Sequence, residues 1–289
     1  MFSKKLVGAL AVLGATAVVP IAVAQELPEI DPQPIPIPLC NGLQATVVGT
    51  DGPDVLLADS AGSVILGKGG DDVIIGRGGN DTICAGDGHD VVEPGRGDDR
   101  VLGGNDNDVV LETFTNGNDE IDGEDGDDTI LAGKGDDELG GGAGDDDIYG
   151  MGGKEKVHAG LGNDFVDGGA GDDFFLHGDN DEDVILGGPG QDDLMGGDES
   201  DKLRGGKGVD ILHGGQERDI LEGQAGRDQL LGGDGTDDLL GGPGDDTKMH
   251  GGEDDDRLDG GPGINTDCLG NGEAVDDAPA DVDLILNCQ

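Results

Sequence analysis

From Gly49 onward the chain can be written in nines. One register starts units at residues 49, 58, 67, 76, 85, 94 and 103. Glu112 and Thr113 interrupt it, and it resumes at 114 and runs through the unit 177–185. Leu186 is then one extra residue; the register continues from 187 through the unit at 241, His250 is another extra, and units begin at 251 and 260. Across these 24 units the fourth position is glycine in 18, the sixth is aspartate in 20, and the eighth is Val, Ile, Leu or Phe in 22. Three chemically distinct columns do not persist over that length by accident. A short repeat of this kind calls for one piece of backbone repeated and stacked.

Glycine tolerates positive φ and close backbone approach, so the glycine-rich half of a unit suits a tight turn with inward carbonyls. The residues after it, such as Asp147-Ile148-Tyr149, are long enough only for a very short strand. One side chain per strand, the eighth, points inside. A single unit buries almost nothing, so the units must stack into a quasi-one-dimensional coil of short parallel strands. One aliphatic side chain per nine residues still falls short of offsetting the entropy of ordering the chain.

Charge makes the shortfall worse. The chain carries a formal net charge of −49, with 61 glycines and 2% aromatics, a balance usual for disorder. It excludes nucleic acid and anionic membrane surfaces as partners, because both would be repelled. Stacking places the sixth-position aspartates close together along the turn edges, which is unfavourable without cations between them. Calcium suits such a site, since it takes six to eight oxygens from carboxylates and carbonyls in flexible arrangements. Magnesium demands a tighter octahedron and keeps its waters. Transition metals want nitrogen or sulfur, and His89, His158, His177, His213 and His250 share no single repeat column in this register. They read as surface histidines.

The segments "GGAGDDDIY" (141–149), "GGKGVDILH" (205–213) and "GGPGDDTKM" (241–249) resemble the GGxGxDxUx repeat of RTX proteins, U being a large apolar residue. The third places Lys248 in the U column. The resemblance covers about residues 49–268. It implies an all-β fold, a right-handed parallel β-roll or β-helix solenoid with two nonapeptides per turn and calcium between glycine-rich turns. By position it carries calcium ligation onto Asp72, Asp81, Asp90, Asp99, Asp108, Asp119, Asp128, Asp137, Asp146, Asp164, Asp173, Asp192, Asp201, Asp210, Asp219, Asp228, Asp237 and Asp246. Carbonyls of the first and third residues of a unit would complete the shell.

Departures from the pattern limit that transfer. Asp54 matches, but the next unit, 58–66, has Ser63 in the ligand column, and Asp256 borders the degenerate last unit, so neither is assigned. Glu155 and Glu182 stand one carbon longer in the ligand column. Calcium binding by the units 58–66, 150–158, 177–185 and 260–268 is left open. Exported RTX toxins and enzymes usually carry an uncleaved C-terminal signal and avoid cysteine. This chain carries an N-terminal signal-like segment and four cysteines and looks like a standalone repeat protein exported by the general route.

Residues 1–24 read as a signal peptide: Lys4 and Lys5, an apolar run over 6–19, and Ala22-Val23-Ala24 before Gln25. The product is expected outside the cytoplasm, with no membrane insertion after cleavage. Residues 25–48 read as a Pro-rich lead-in and N-terminal cap, 49–268 as the repeats and 269–289 as a C-terminal cap. Four cysteines suit an oxidising compartment and allow three pairings; proximity favours Cys40 with Cys84 and Cys268 with Cys288.

Other motifs dissolve into the repeat. "GSVILGKG" (62–69) lacks the Ser or Thr of a P-loop, and "RGD" (96–98) is one more turn. No HExxH or GxSxG occurs. Outside the repeats too little chain remains for a catalytic pocket. The reading is a secreted calcium-binding structural or interaction module that folds on calcium, not an enzyme. The alternatives are a cell-surface or matrix adhesin using the acidic face and, behind it, a hydrolase accessory.

Overall fold

The structure is a computed structural model that describes residues 38–112, 116–271 and 284–288. The signal-like segment 1–24 and the lead-in up to residue 37 lie outside the described residues. Among the latter there is no helix, and so none long and apolar enough to cross a membrane.

Two thirteen-stranded parallel sheets face each other along a solenoid. One is built from Val55–Leu57, Val73–Ile75, Val91–Glu93 and their successors through Leu284–Leu286; the other from Val47–Val48, Val64–Gly69, Thr82–Asp87 and successors through Cys268–Asn271. Consecutive units go to opposite sheets, so a residue pairs with its equivalent two units on, as Val55 does with Val73 and Ile65 with Ile83. Two units therefore make one turn. The strands are short because the glycine turn follows within a few residues. Stacking them in parallel lets each turn hydrogen-bond to the next, as the Gly88 N–H does to the Asn105 carbonyl at 3.1 Å.

The core is the eighth column. Leu56, Ile74, Val92, Val110 and Ile130 on one sheet face Ile65, Ile83, Val101, Ile121 and Leu139 on the other, each at most 4% exposed. Burying each of these side chains contributes roughly 1.5–3 kcal/mol. The space between the sheets is one side chain deep, which is why branched aliphatics fill it and rings do not.

The structure moves four register points. Glu112 is not an interruption: it is the first residue of a rung, buried at 1%, its N–H donating to the Leu131 carbonyl as Ala132 donates to that of Tyr149. Since Asn116 pairs with Lys134, the two extra residues fall within 113–115, outside the described residues. The second insertion is Phe175, not Leu186. The pairing slips between Phe174 and Leu176, Phe175 takes φ +78°, and Leu176 and Ile185 enter the core. Asp183, not Glu182, therefore occupies the sixth column, and Glu182 faces solvent. The third lies before Lys248: Lys248 pairs with Gln229 in the seventh column, and Met249 fills the core beside Leu230. Finally Cys268, not Asp267, continues that column by pairing with Met249. In the last three cases a neighbouring apolar residue, Leu176, Met249 or Cys268, takes the core slot in place of a ring or a charge.

Both ends are tied. Leu39–Cys40 and Leu43–Gln44 form an antiparallel hairpin around Asn41-Gly42, both at positive φ, the turn that such a dipeptide favours. Its Cys40 is disulfide-bonded to Cys84. Val47–Val48 then supplies the first rung of its sheet, one unit ahead of Gly49. At the far end Leu284–Leu286 pairs with Arg257–Asp259, and Cys288 is disulfide-bonded to Cys268.

Candidate functional site

The sixth residue of each unit turns its side chain inward at the corner between turn and strand. Alternate units send it to opposite edges, so the solenoid carries two carboxylate ladders. One runs Asp54, Asp72, Asp90, Asp108, Asp128, Asp146, Asp164, Asp183, Asp201, Asp219, Asp237, Asp256; the other runs from Ser63 through Asp81, Asp99, Asp119, Asp137, Glu155, Asp173, Asp192, Asp210, Asp228 and Asp246 to Asn265. All these residues are buried, the acids at 3% exposure or less. All eighteen aspartates named from the sequence stand in these ladders, joined by Asp183.

The rungs interlock through one oxygen. The backbone N–H of Asp72 donates to Asp90 Oδ1 at 2.7 Å, that of Asp90 to Asp108 Oδ1 at 2.8 Å, and that of Asp183 to Asp201 Oδ1 at 2.9 Å. The second oxygen is different. In each of the eighteen aspartates Oδ2 is buried and has no hydrogen-bond partner among the described residues. A buried anionic oxygen left this way is costly.

Asn265 shows what Oδ2 faces. Its Oδ1 accepts the Asp246 N–H at 3.1 Å, as an aspartate would. Its Nδ2 stands where the other carboxylates carry Oδ2, and it donates to the carbonyls of Gly261 at 3.1 Å and Asn287 at 3.0 Å. The position is thus lined by carbonyl oxygens, satisfied by an amide donor and repelled by a carboxylate oxygen. First-position glycines close the same space. A Cβ on Gly196 would run into Asp201 Oδ2 and lie 2.7 Å from the Gly214 carbonyl oxygen. Carboxylate and carbonyl oxygens converging without a donor between them form the all-oxygen set that suits calcium.

The electrostatics agree. Burial, against the lowering effect of the donated N–H, pushes Asp201 up to about 8, with the charges of Asp183 and Asp219 adding to it. Asp90, Asp108, Asp137, Asp146, Asp164, Asp183, Asp192, Asp210 and Asp219 rise to about 7 for the same first cause. Glu155 is pushed to about 10 by burial and then by the adjoining Asp173 carboxyl. These groups resist ionising where they sit unless a cation is present.

The ladder ends differ. Asp54 Oδ2 accepts from the Thr50 N–H at 2.5 Å and hydroxyl at 2.9 Å, so the first rung satisfies its own carboxylate. With Ser63 and Asn265 this leaves both ends of one ladder and the start of the other without an orphaned oxygen. Glu112 had no visible signal in the repeat. It brings a third buried carboxyl to Asp99 and Asp119, their ligand atoms within 4.8 Å of one another, and its Oε1 accepts the Gly95 N–H at 2.9 Å.

The fifth-position acids face outward yet form their own ladder in the opposite sense. The Asp145 N–H donates to Asp127 Oδ1 at 3.0 Å and the Asn163 N–H to Asp145 Oδ1 at 2.9 Å. The histidines also regroup once the insertions are placed. His158, His177, His213 and His250 fall in one outward column, which passes through Met195 and Leu231. In the sequence register His177 is a first residue and His250 an extra, which separates them from this column.

A family model described as the RTX calcium-binding nonapeptide repeat (4 copies) matches residues 60–92, 95–111, 115–148, 149–181, 175–194, 186–221, 213–247 and 248–267. No curated protein matches the chain.

Proposed function

The chain belongs to the RTX calcium-binding nonapeptide repeat family, and we propose that it acts as a secreted solenoid module whose folding is driven by calcium filling both carboxylate edges. The ligands in this reading are the eighteen aspartates from Asp72 to Asp246 named above, with Asp183 added, together with carbonyls of the neighbouring turns. The observation that carries it is the contrast between Asn265, whose amide donates to the carbonyls of Gly261 and Asn287, and the aspartates, whose buried Oδ2 has no donor. Calcium supplies at that point the positive charge that two converging sets of oxygens lack. The protein's share is to fix the carboxylate through Oδ1, to aim the carbonyls, and to exclude water from Oδ2.

Folding follows from linkage. An ion that binds the stacked form and not the open chain stabilises it by about 2.7 kcal/mol per site at a hundredfold excess over Kd. Sites repeated along both edges turn small increments into a cooperative transition. Secretion rests on the signal-like residues 1–24 and on two disulfides, which need an oxidising compartment. The module is structural or interactive, not enzymatic. A second reading, an adhesin bridging cell-surface or matrix components through calcium, is favoured by the outward fifth-position acids such as Asp127 and Asp145, regularly spaced and held by backbone.

Circular dichroism during a calcium titration of the chain lacking residues 1–24 tests the main reading. The expected result is an unordered spectrum in chelator and a cooperative gain of β signal with calcium. The same gain with magnesium alone would remove the ion assignment. Capture of the protein on cell envelopes, with and without calcium, tests the adhesin reading.

A further inference from the structure

The insertion at Phe175 does more than shift the register. The bulge carries Phe175 outward and brings His177 level with His158 on the outer face of its sheet, with Asp179 two residues along, paired with Gly160. Asp179 takes φ +80°, and its carboxylate reaches both imidazoles. His158 Nδ1 lies 3.3 Å from Asp179 Oδ2, and His177 Nδ1 lies 2.9 Å from Asp179 Oδ1. All three ligand atoms lie within 4.8 Å of one another. Phe175 braces the pair, its ring centroid 4.9 Å from His158 and 5.4 Å from His177.

We propose that His158, His177 and Asp179 form a surface site for a borderline divalent transition metal of the zinc class, separate from the calcium edges. Ligands about 2.0–2.2 Å from a tetrahedral zinc stand roughly 3.3–3.5 Å apart, close to the nitrogen–oxygen separations here. Two imidazole nitrogens select zinc, cobalt, nickel or copper over calcium, which takes oxygen. The two side-chain classes thus sort two ions onto one solenoid: carboxylate and carbonyl at the edges, imidazole on the sheet. Beside the cluster a depression of about 460 Å³, lined by His177, Asp179, Met195, Asp198 and His213 among others, leaves the open side of the metal to water or an external ligand. An ordinary ion pair between protonated histidines and Asp179 would explain the distances without a metal, and the experiment separates the two.

The test is cobalt(II) titration of the full chain, saturated with calcium and followed by visible absorption. One equivalent of cobalt should produce the d–d bands of a tetrahedral nitrogen–oxygen site, and zinc should abolish them. His177→Gln, His158→Gln and Asp179→Asn should each weaken cobalt binding by about tenfold or more. His89→Gln, on an exposed turn, should leave it unchanged. Circular dichroism in calcium confirms folding; if His177→Gln disturbs the bulge, the more exposed His158→Gln decides. Absence of the bands at one equivalent, or bands that survive His158→Gln unchanged, overturns the site.

Discussion

Asp201→Asn should change stability in opposite directions with and without calcium. The Asp201 carboxyl rises from 3.8 to about 8, chiefly through burial. At pH 7 about three units of that rise are realised, nominally about 4 kcal/mol against the metal-free fold. Solvent screening along a turn edge reduces it to about 1–2 kcal/mol. Asparagine removes the penalty and can copy Asn265, accepting the Asp183 N–H through Oδ1 and donating to turn carbonyls through Nδ2. In calcium the same change deletes a ligand, forfeiting about 2–3 kcal/mol at a hundredfold excess over Kd. The metal-free arm is read as the trimethylamine oxide concentration that restores β signal in chelator at pH 7; the variant should need less than wild type. The calcium arm is a urea midpoint, which should fall. If the substitution destabilised in both arms, Oδ2 would have a donor in the metal-free fold and the reasoning would fail.

The ladder also fixes the sign of the pH dependence. Because buried ladder carboxyls such as Asp72, Asp146 and Asp201 lie above their unfolded value of 3.8 in the folded state, the metal-free stability they contribute is full below about pH 4 and is lost as pH rises through about 6 to 8. Metal-stripped protein should therefore gain β signal on acidification, and a gain on alkalinisation would contradict this. Gly208→Ala should prevent stacking locally, since Gly208 sits at φ +152° and a Cβ would run into the Gly190 carbonyl oxygen; calcium-induced ellipticity should drop and the urea midpoint fall. Leu221→Ala, in a fully buried slot, should cost about 2–5 kcal/mol in calcium, measured by urea unfolding. Replacing Cys268 and Cys288 by serine opens a link of sequence separation 20 and should cost roughly 3 kcal/mol, read as a lower melting temperature.

What was legible in the sequence is what the solenoid repeats. Glycine, aspartate and aliphatic columns each answer to one constraint, so stacking and a line of sixth-position aspartates at the turn edges could be read from spacing, while the choice of eighteen of them as ligands came from the resemblance to RTX repeats. The insertions are ambiguous in the sequence because local composition is degenerate. In Phe174-Phe175-Leu176 and in Val184-Ile185 either frame puts an apolar residue in the eighth column, and only the shallow space between the sheets decides for Leu176 and Ile185. The other frame puts Glu182 in the ligand column in place of Asp183 and disperses the histidines that share one face. A competing clue was present: the frame that puts Asp183 sixth keeps aspartate there, at the cost of a bulge at an aromatic residue. Lys248 was the clearer signal, since a core column does not accept a lysine when Met249 is adjacent. Asn41-Gly42 carries the turn chemistry of a hairpin, a signal that the surrounding Pro-rich composition of the lead-in outweighs in the sequence. Glu112 was not legible, because its role depends on reaching Asp99 and Asp119 across rungs.

Anomalous diffraction from crystals grown in millimolar calcium would locate the ions against named atoms. The account predicts peaks along both edges within about 2.3–2.6 Å of the Oδ2 atoms from Asp72 to Asp246, and none at Asp54, whose oxygen Thr50 already satisfies. Density at those Oδ2 atoms explained by water alone would contradict it.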